Sequence, residues 1–183
     1  MFFKHRYTED SDHRLMDLIS EGDDEAFHEL VSRYQQPVLN LAFRFLGDAQ
    51  EAKDISQEAF LRIFQAAERY QPTTQFKSFL FRIVRNLCLD HTRRKKPVYM
   101  DELPEQHSGS DPLSDLEQEQ LRKALSSAVS SLPENQRMAL LLHHFEGLRY
   151  TEIAQVMDTT VSAVESLLVR AKRAMRERMK PLQ

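Results

Sequence analysis

The sequence predicts an all-α fold: two small helical domains joined by an acidic linker. Three observations predict it. Apolar residues recur at i, i+3, i+4 and i+7 along most of the chain, and no segment alternates with the period of a strand. Only four glycines occur in 183 residues, while Leu, Ala, Glu, Gln and Arg are abundant, which favours helix. Charge is uneven beneath a net value of −3. Residues 1–97 hold 15 basic and 15 acidic side chains, residues 98–120 hold seven acids and no Lys or Arg, and residues 121–183 hold ten basic and six acidic groups. The domains are therefore set at 1–97 and 115–183, with 98–114 as linker. The stretch from 98 to 120, VYMDELPEQHSGSDPLSDLEQEQ, also carries two prolines and a Ser-Gly-Ser.

The elements follow in order. A short helix is expected over about 14–20. A second starts near Asp23 or Asp24 and reaches Leu46, where Gly47 is placed to stop it. Asp48 and Glu51 cap a third, which runs to about Tyr70. YQPTTQ (70–75) is a loop, and FKSFLFRIVRNLCLDHTRRKK (76–96) is the fourth helix. Past the linker, Ser-Asp-Leu-Glu at 114–117 forms a capping box, and helices are expected near 115–130, 134–145, 150–157 and 161–178.

Several function classes have nothing to support them. No run of about 18 apolar residues is present, so no membrane insertion is expected, and MFFKHRYTEDSDHR lacks a signal-peptide core. A single Cys88 suits a reducing cytoplasm. There is no Gly-rich phosphate loop, nucleophile motif or acid–base pair, so the chain reads as no enzyme, with no catalytic residues and no cofactor. Cys88 and His91 lie one helical turn apart, but no further ligands accompany them, so no metal site is assigned and Cys88 is expected in the core. His143 and His144 are expected to fill the core rim.

Three surfaces do carry a signal. On the fourth helix Phe76, Phe79, Leu80, Ile83, Val84 and Leu87 form a buried face. Phe81, Arg82, Arg85 and Asn86 fall off it, and Arg93, Arg94, Lys95 and Lys96 close the helix. An outward Phe beside Arg and Asn suits stacking on an unpaired base; a solvated face with one stray aromatic explains it equally well. On the third helix Ala52, Ile55, Ala59, Ile63 and Ala66 form one stripe, and Gln57, Phe60, Leu61 and Phe64 a second, flanked by Asp54 and Glu58. Phe60 and Phe64 are expected inside, leaving Asp54, Gln57, Glu58 and Leu61 as a partner surface. In EGLRYTEIAQVMDTTVSAVESLLVRAKRAMRER a short helix, a tight turn at Met157-Asp158-Thr159 and a longer helix ending in cations read as a helix-turn-helix.

These motifs together resemble a bacterial RNA polymerase sigma factor of the extracytoplasmic-function (ECF) type. DEAFHELVSRY (24–34), DISQEAFLRIF (54–64), FLFRIVRNLCLDHTRR (79–94), LPENQRMALLLHHFEGLRYTEIAQVM (132–157) and TVSAVESLLVRAKR (160–173) match family motifs in order. The resemblance implies region 2 before the linker and region 4 after it. It implies that the Asp54, Gln57, Glu58 and Leu61 face grips the coiled coil of the polymerase β′ subunit. It gives −10 recognition and melting to Thr73, Thr74, Phe81, Arg82, Arg85, Asn86 and the Arg93–Lys96 cations. It gives −35 recognition to Ser162, Glu165, Ser166, Val169, Arg170 and Arg173, docking of the same domain to the β-subunit flap, and control by an anti-sigma factor.

Three positions depart from the family pattern. Phe79 stands where Trp is usual, and the chain has no Trp. Arg149 replaces a capping Ser, which is expected to deprive Glu152 of its capping-box partner at about 0.5–2 kcal/mol. Glu165 stands where many members have a cation, and a Glu accepts from cytosine N4 instead of donating to guanine. Two other readings compete: a stand-alone helix-turn-helix regulator, which leaves the 54–64 surface unexplained, and a mimic that sequesters an anti-sigma protein, which has no use for the 81–96 cations.

Overall fold

The computed structural model describes Tyr7, residues 11–94 and residues 112–180, without the side chains of 112–119 and 122. The described residues form eight α-helices, and no strand occurs among them. Most of the linker, with Lys95 and Lys96, lies outside the described residues.

Local chemistry sets the helix ends. Helix α1 (Asp12–Ser20) starts where Ser11 Oγ accepts from the Arg14 N–H at 3.2 Å. Helix α2 (Asp24–Leu46) starts at Asp23, whose carboxylate accepts from the Ala26 N–H at 3.0 Å. It stops at Gly47, which takes a left-handed φ of 79° and donates its N–H to the Phe43 carbonyl at 2.8 Å. Asp48 then caps α3 (Ala49–Ala66), accepting from the N–H groups of Gln50 and Glu51, and a 3-10 turn (Ala67–Arg69) leads into the 70–75 loop. Helix α4 is Phe76–Arg94. Helix α5 (Pro112–Ser130) begins two residues before the linker's expected end, with proline at the first helical position, where its missing N–H costs nothing. Helices α6 (Glu134–His144), α7 (Tyr150–Met157) and α8 (Val161–Met179) complete the chain.

Packing follows the apolar stripes. Leu30, Val38, Leu41 and Phe45 of α2 meet Ala52, Ala59 and Ile63 of α3 and Phe76, Leu80 and Val84 of α4 in the first half. Met138, Leu141 and Leu142 of α6 meet Ile153 and Val156 of α7 and Val164 and Leu168 of α8 in the second. The two helical sets expected from the sequence are both present, and they also pack on one another: α4 lies on α7 and α2 on α6. Their buried residues form one continuous cluster.

A polar knot fixes α1 to α2. Arg33 donates to Glu29 Oε1 at 2.9 Å, Asp12 Oδ1 at 3.0 Å and the Tyr7 carbonyl at 2.7 Å. Burial works against the Arg33 charge, but the bonds to Glu29 and Asp12 outweigh it and hold its pKa above the ordinary value. The Tyr34 hydroxyl donates to Asp12 Oδ2 at 2.5 Å, and burial together with that bond keeps it protonated. The knot leaves Glu29, only 7% exposed, with a charged partner.

Gly47 is the position where backbone geometry constrains side-chain choice most directly. A Cβ in the left-handed region costs roughly 1–2 kcal/mol. Gly47→Ala should therefore lower stability by about that amount in denaturant unfolding, with far-UV helicity of the folded state unchanged.

Candidate functional site

The third helix presents its surface as the spacing requires. Asp54, Gln57 and Leu61 are exposed and Glu58 is half-buried, all on one face of α3. Arg62 donates to Glu58 at 2.8 Å, and Gln50 donates to Asp54 at 3.2 Å. Gln57 and Leu61 form one wall of an open apolar groove, with Phe60 at its base and Phe27 and Val31 of α2 opposite. Phe64 corrects the expectation of burial. It is 44% exposed at the rim of this groove, edge-on to Phe27 of α2 with ring centres 5.2 Å apart, so α2 meets the ring only at one edge while Ile63 beside it is buried. Phe60, by contrast, is buried as expected. The groove therefore exposes more apolar surface than Leu61 alone, and Phe27 and Val31 were missed in the sequence. Their i, i+4 spacing on α2 is a usable signal only once the α2–α3 pairing is known.

Helix α4 departs from the sequence reading at its central aromatic. Phe81 does not face outward; it is fully buried. The face expected to be open lies against the second half of the chain. Lys77 Nζ, 5.6 Å from the Phe81 ring centre, donates to the Glu146 carbonyl at 2.6 Å, and Arg82 lies 3.6 Å from Asp158. Residues flanking Phe81 thus reach the chain before α7 and the turn after it, and α7 packs against α4. On the other face Phe76, Leu80, Val84 and Leu87 are buried, with Phe79 and Ile83 half-buried at its edge.

The loop before α4 forms a hollow. Thr73 and Thr74 line it with Arg62, Arg69, Tyr70, Phe79, Arg82 and, from α7, Gln155. Tyr70 is fixed there by its hydroxyl bond to His13 Nδ1 at 2.8 Å and by packing on Phe79 at 5.1 Å. Arg62 and Arg69, missed in the sequence, supply positive charge to the wall. Arg85 and Asn86 do not join this hollow: they sit a turn further along α4, and Arg85 Nη1 donates to Asn86 Oδ1 at 3.0 Å. Burial lowers the Arg85 pKa, opposed by the nearby Asp158 charge. Arg93 and Arg94 are exposed at the end of the helix, Arg93 3.7 Å from Asp90.

In the second half, α7 and α8 make the expected helix-turn-helix. Asp158 takes the left-handed conformation at φ 54°, which Asp tolerates better than most residues, and the Thr159 N–H donates to the Ala154 carbonyl at 3.0 Å. Thr160 Oγ1 then caps α8 by accepting from the Ala163 N–H at 3.2 Å. Ser162, Glu165, Ser166, Val169, Arg170 and Arg173 are all exposed on one side of α8. Val169 is 67% exposed, a branched apolar side chain among polar ones. The expected loss at Arg149 is half corrected: Arg149 lacks a capping side chain, yet Glu152 Oε2 still accepts from the Arg149 N–H at 2.7 Å.

The remaining candidates are structural. Cys88 is buried in the core, and His91 Nε2 lies 2.9 Å from Glu51. His143 fills the core rim, 3.2 Å from the Leu148 carbonyl and edge-on to Tyr150. His144 is instead exposed, because it follows the last buried turn of α6.

Comparison with known proteins agrees with this architecture. The model for Sigma-70 region 2 matches residues 30–98, and that for Sigma-70, region 4 matches residues 122–175. The RNA polymerase sigma-H factor of Pseudomonas aeruginosa is 35% identical over 187 residues, covering 96% of this chain and 97% of that one. The ECF RNA polymerase sigma-E factor of Escherichia coli (strain K12) is 32% identical, covering 94% and 96%. Among solved structures, CnrH in complex with the cytosolic domain of CnrY shares the fold at a TM-score of 0.73 and 23% identity, covering 94% of this chain and 99% of that one. The sigma factor RpoE of Bartonella quintana, solved with the anti-sigma factor NepR, shares it at 0.67 and 19%, covering 84% and 96%. This chain belongs to the ECF family of RNA polymerase sigma factors. Its function is that of a sigma factor: it directs core polymerase to promoters and initiates transcription there. Among the described residues no helix is long and apolar enough to cross a membrane.

Burial pushes the Cys88 thiol up to about 12. Almost none of it is thiolate at pH 8, and the thiolate is the reactive form. The native chain should therefore resist iodoacetamide at pH 8, and the urea-unfolded chain should be alkylated within minutes, as intact mass will show.

Proposed function

We propose that three separate surfaces divide the work of promoter selection. The α2–α3 groove, with Gln57, Leu61 and Phe64 on its α3 wall and Asp54 and Glu58 beside it, receives the coiled coil of the polymerase β′ subunit. The hollow at Thr73 and Thr74 receives a base flipped from the −10 element, with Asn86 and Arg85 contacting the strand one turn away. Arg93, Arg94, Lys95 and Lys96 hold the upstream duplex. The exposed side of α8 reads the −35 element, and its domain docks on the β-subunit flap. The chain works in the cytoplasm, beside polymerase and DNA, and no catalytic role or cofactor is assigned to it.

The observation that carries this reading is the hollow itself. Unstacking a base costs a few kcal/mol, and one aromatic contact returns about 1–3 kcal/mol. A cavity with two threonine hydroxyls, the Tyr70 and Phe79 rings and the Arg62, Arg69 and Arg82 cations offers stacking, base-edge bonds and phosphate attraction together. An anti-sigma factor is the proposed regulator, because the sigma factor RpoE, which shares this fold, has been solved with the anti-sigma factor NepR. The open α2–α3 groove, apolar and with Asp24 in its lining, is where one would compete with polymerase.

Two measurements test the reading. Leu61→Asp places a charge in the groove and should abolish co-purification with core polymerase while leaving the circular dichroism spectrum unchanged; retained binding would remove the groove assignment. In a randomised −10 library, Thr74→Ala and Asn86→Ala should change base preference. Arg93→Ala and Arg94→Ala should weaken all promoters alike, each lowering the salt slope by about one. Unchanged preference in the first pair would place base reading elsewhere.

A further inference from the structure

One wall of the Thr73–Thr74 hollow is held from a helix that takes no part in it. Tyr70 lines the hollow, and its hydroxyl lies 2.8 Å from His13 Nδ1 on α1. The two rings are nearly parallel, at 22° with centres 5.9 Å apart. His13 itself is not among the lining residues. Among the described residues this is the loop's one hydrogen bond to a segment remote in sequence. The loop's own N–H bonds, from Tyr70 to the Ala67 carbonyl and from Thr73 to the Gln71 carbonyl, are local.

This contact differs in kind from the packing around it. Tyr70 also meets Phe79 at 5.1 Å and Phe76 at 6.2 Å. Apolar contact is non-directional, so those rings set how deep Tyr70 lies but leave it free to slide and tilt. A hydrogen bond accepts a narrow range of length and angle, and it fixes the far end of the ring. The anchor is firm. Leu15, Met16 and Ile19 bury α1, and Asp12, next to His13, takes the Arg33 and Tyr34 bonds. Tyr34 in turn packs on Phe76 at 5.3 Å, which closes a circuit of contacts from α1 through α2 and α4 back to Tyr70. Burial and the charges of Asp12 and Asp17 raise the Tyr70 pKa, so the hydroxyl keeps its proton and can donate to a bare Nδ1.

We propose that His13 is a positioning residue for −10 recognition: from α1 it fixes the Tyr70 ring as a rigid wall of the hollow, so the hollow has its shape before a base enters. A ring already held loses no freedom when the base arrives. A mobile ring would still stack, because every base has a π-face. It would lose the fixed distance to the Thr73 and Thr74 hydroxyls, on which discrimination among base edges depends. His13 therefore acts on base preference and not on phosphate attraction by Arg62, Arg69 and Arg82. The effect on promoters rests on the assignment of the hollow to a flipped −10 base made above; the clamp of His13 on Tyr70 does not.

The test uses the full chain in two arms. In the first, fluorotyrosine replaces the five tyrosines, and Tyr70→Phe identifies the Tyr70 resonance by its loss. His13→Ala should shift and sharpen that fluorine resonance, and His13→Gln, whose amide oxygen can accept the same bond, should bring it back. An unmoved resonance in His13→Ala would overturn the clamp. In the second arm each variant, assembled with core polymerase, transcribes a randomised −10 library. His13→Ala and Tyr70→Phe should each lower the preference for the best base over the next by about fivefold, the double variant should lower it no further, and His13→Gln should restore it. The salt slope should keep its wild-type value, since no phosphate contact is lost. Equal weakening of every −10 sequence, or additive losses in the double variant, would overturn the positioning role. Tyr70→Ala separates this from failure of the hollow. Changed preference there with none in His13→Ala would overturn the role of His13 alone. Unchanged preference in Tyr70→Ala would overturn the hollow as the base reader, and the fluorine arm would still decide the clamp. Tyr70→Phe removes one hydroxyl and keeps the ring, so a folding failure of His13→Ala leaves the second arm decisive.

Discussion

Helix α4 must be covered on two sides, and the rest of the molecule is arranged around that requirement. One side carries Phe76, Leu80, Val84 and Leu87 and is the floor of the first half. The other carries Phe81, whose full burial is worth roughly 1.5–3 kcal/mol over exposure. Helix α7 packs on α4 as α2 and α3 do, and Lys77 Nζ lies 5.6 Å from the Phe81 ring centre.

Burial sets the electrostatics at the joint between the halves. Glu146 sits at it, and burial raises its carboxyl pKa while the Lys77 and Arg44 charges oppose the rise. Arg137 is held below its ordinary pKa by burial, with Glu134 acting the other way. Both groups thus lose solvation by burial, each partly offset by a nearby opposite charge. A fully apolar joint of the same size would hold more firmly. The Arg33 knot shows the opposite balance: its cation meets two carboxylates and a carbonyl, and it fastens α1 to α2.

How much of this could be read in the sequence follows from the range of each signal. Helix ends were legible because Asp23, Gly47, Asp48 and Thr160 act within four residues of themselves. The α8 surface was legible because a helix exposed along one side shows its period directly: Ser162, Glu165, Ser166, Val169, Arg170 and Arg173 recur on one face. Phe81 was misread because periodicity assigns a residue to a face without saying what lies opposite. Helix α7, which packs against α4, comes some seventy residues later in the chain, and nothing in 76–96 encodes it. Phe64 was misread for a related reason: its stripe looks internal, but Phe27 of α2 meets the ring only edge-on at the rim of the groove. Arg137 was invisible, since a lone arginine in an amphipathic helix reads as a solvated charge. Its bonds to the Phe45, Ser130 and Leu132 carbonyls exist only in the packed chain.

The three surfaces differ in access, and that difference orders the encounter. The α8 side is exposed throughout, but it bears only two cations and one acid among its six reading residues, too little charge for strong duplex binding alone. The groove beside α3 is apolar and open, so it is the surface with the largest area to gain from a protein partner. The α4 side packs against α7. On the assignments proposed above, a chain so arranged would meet polymerase first through the open groove. Once polymerase held the first half, the weak α8 contact would become intramolecular to the complex and gain from effective concentration.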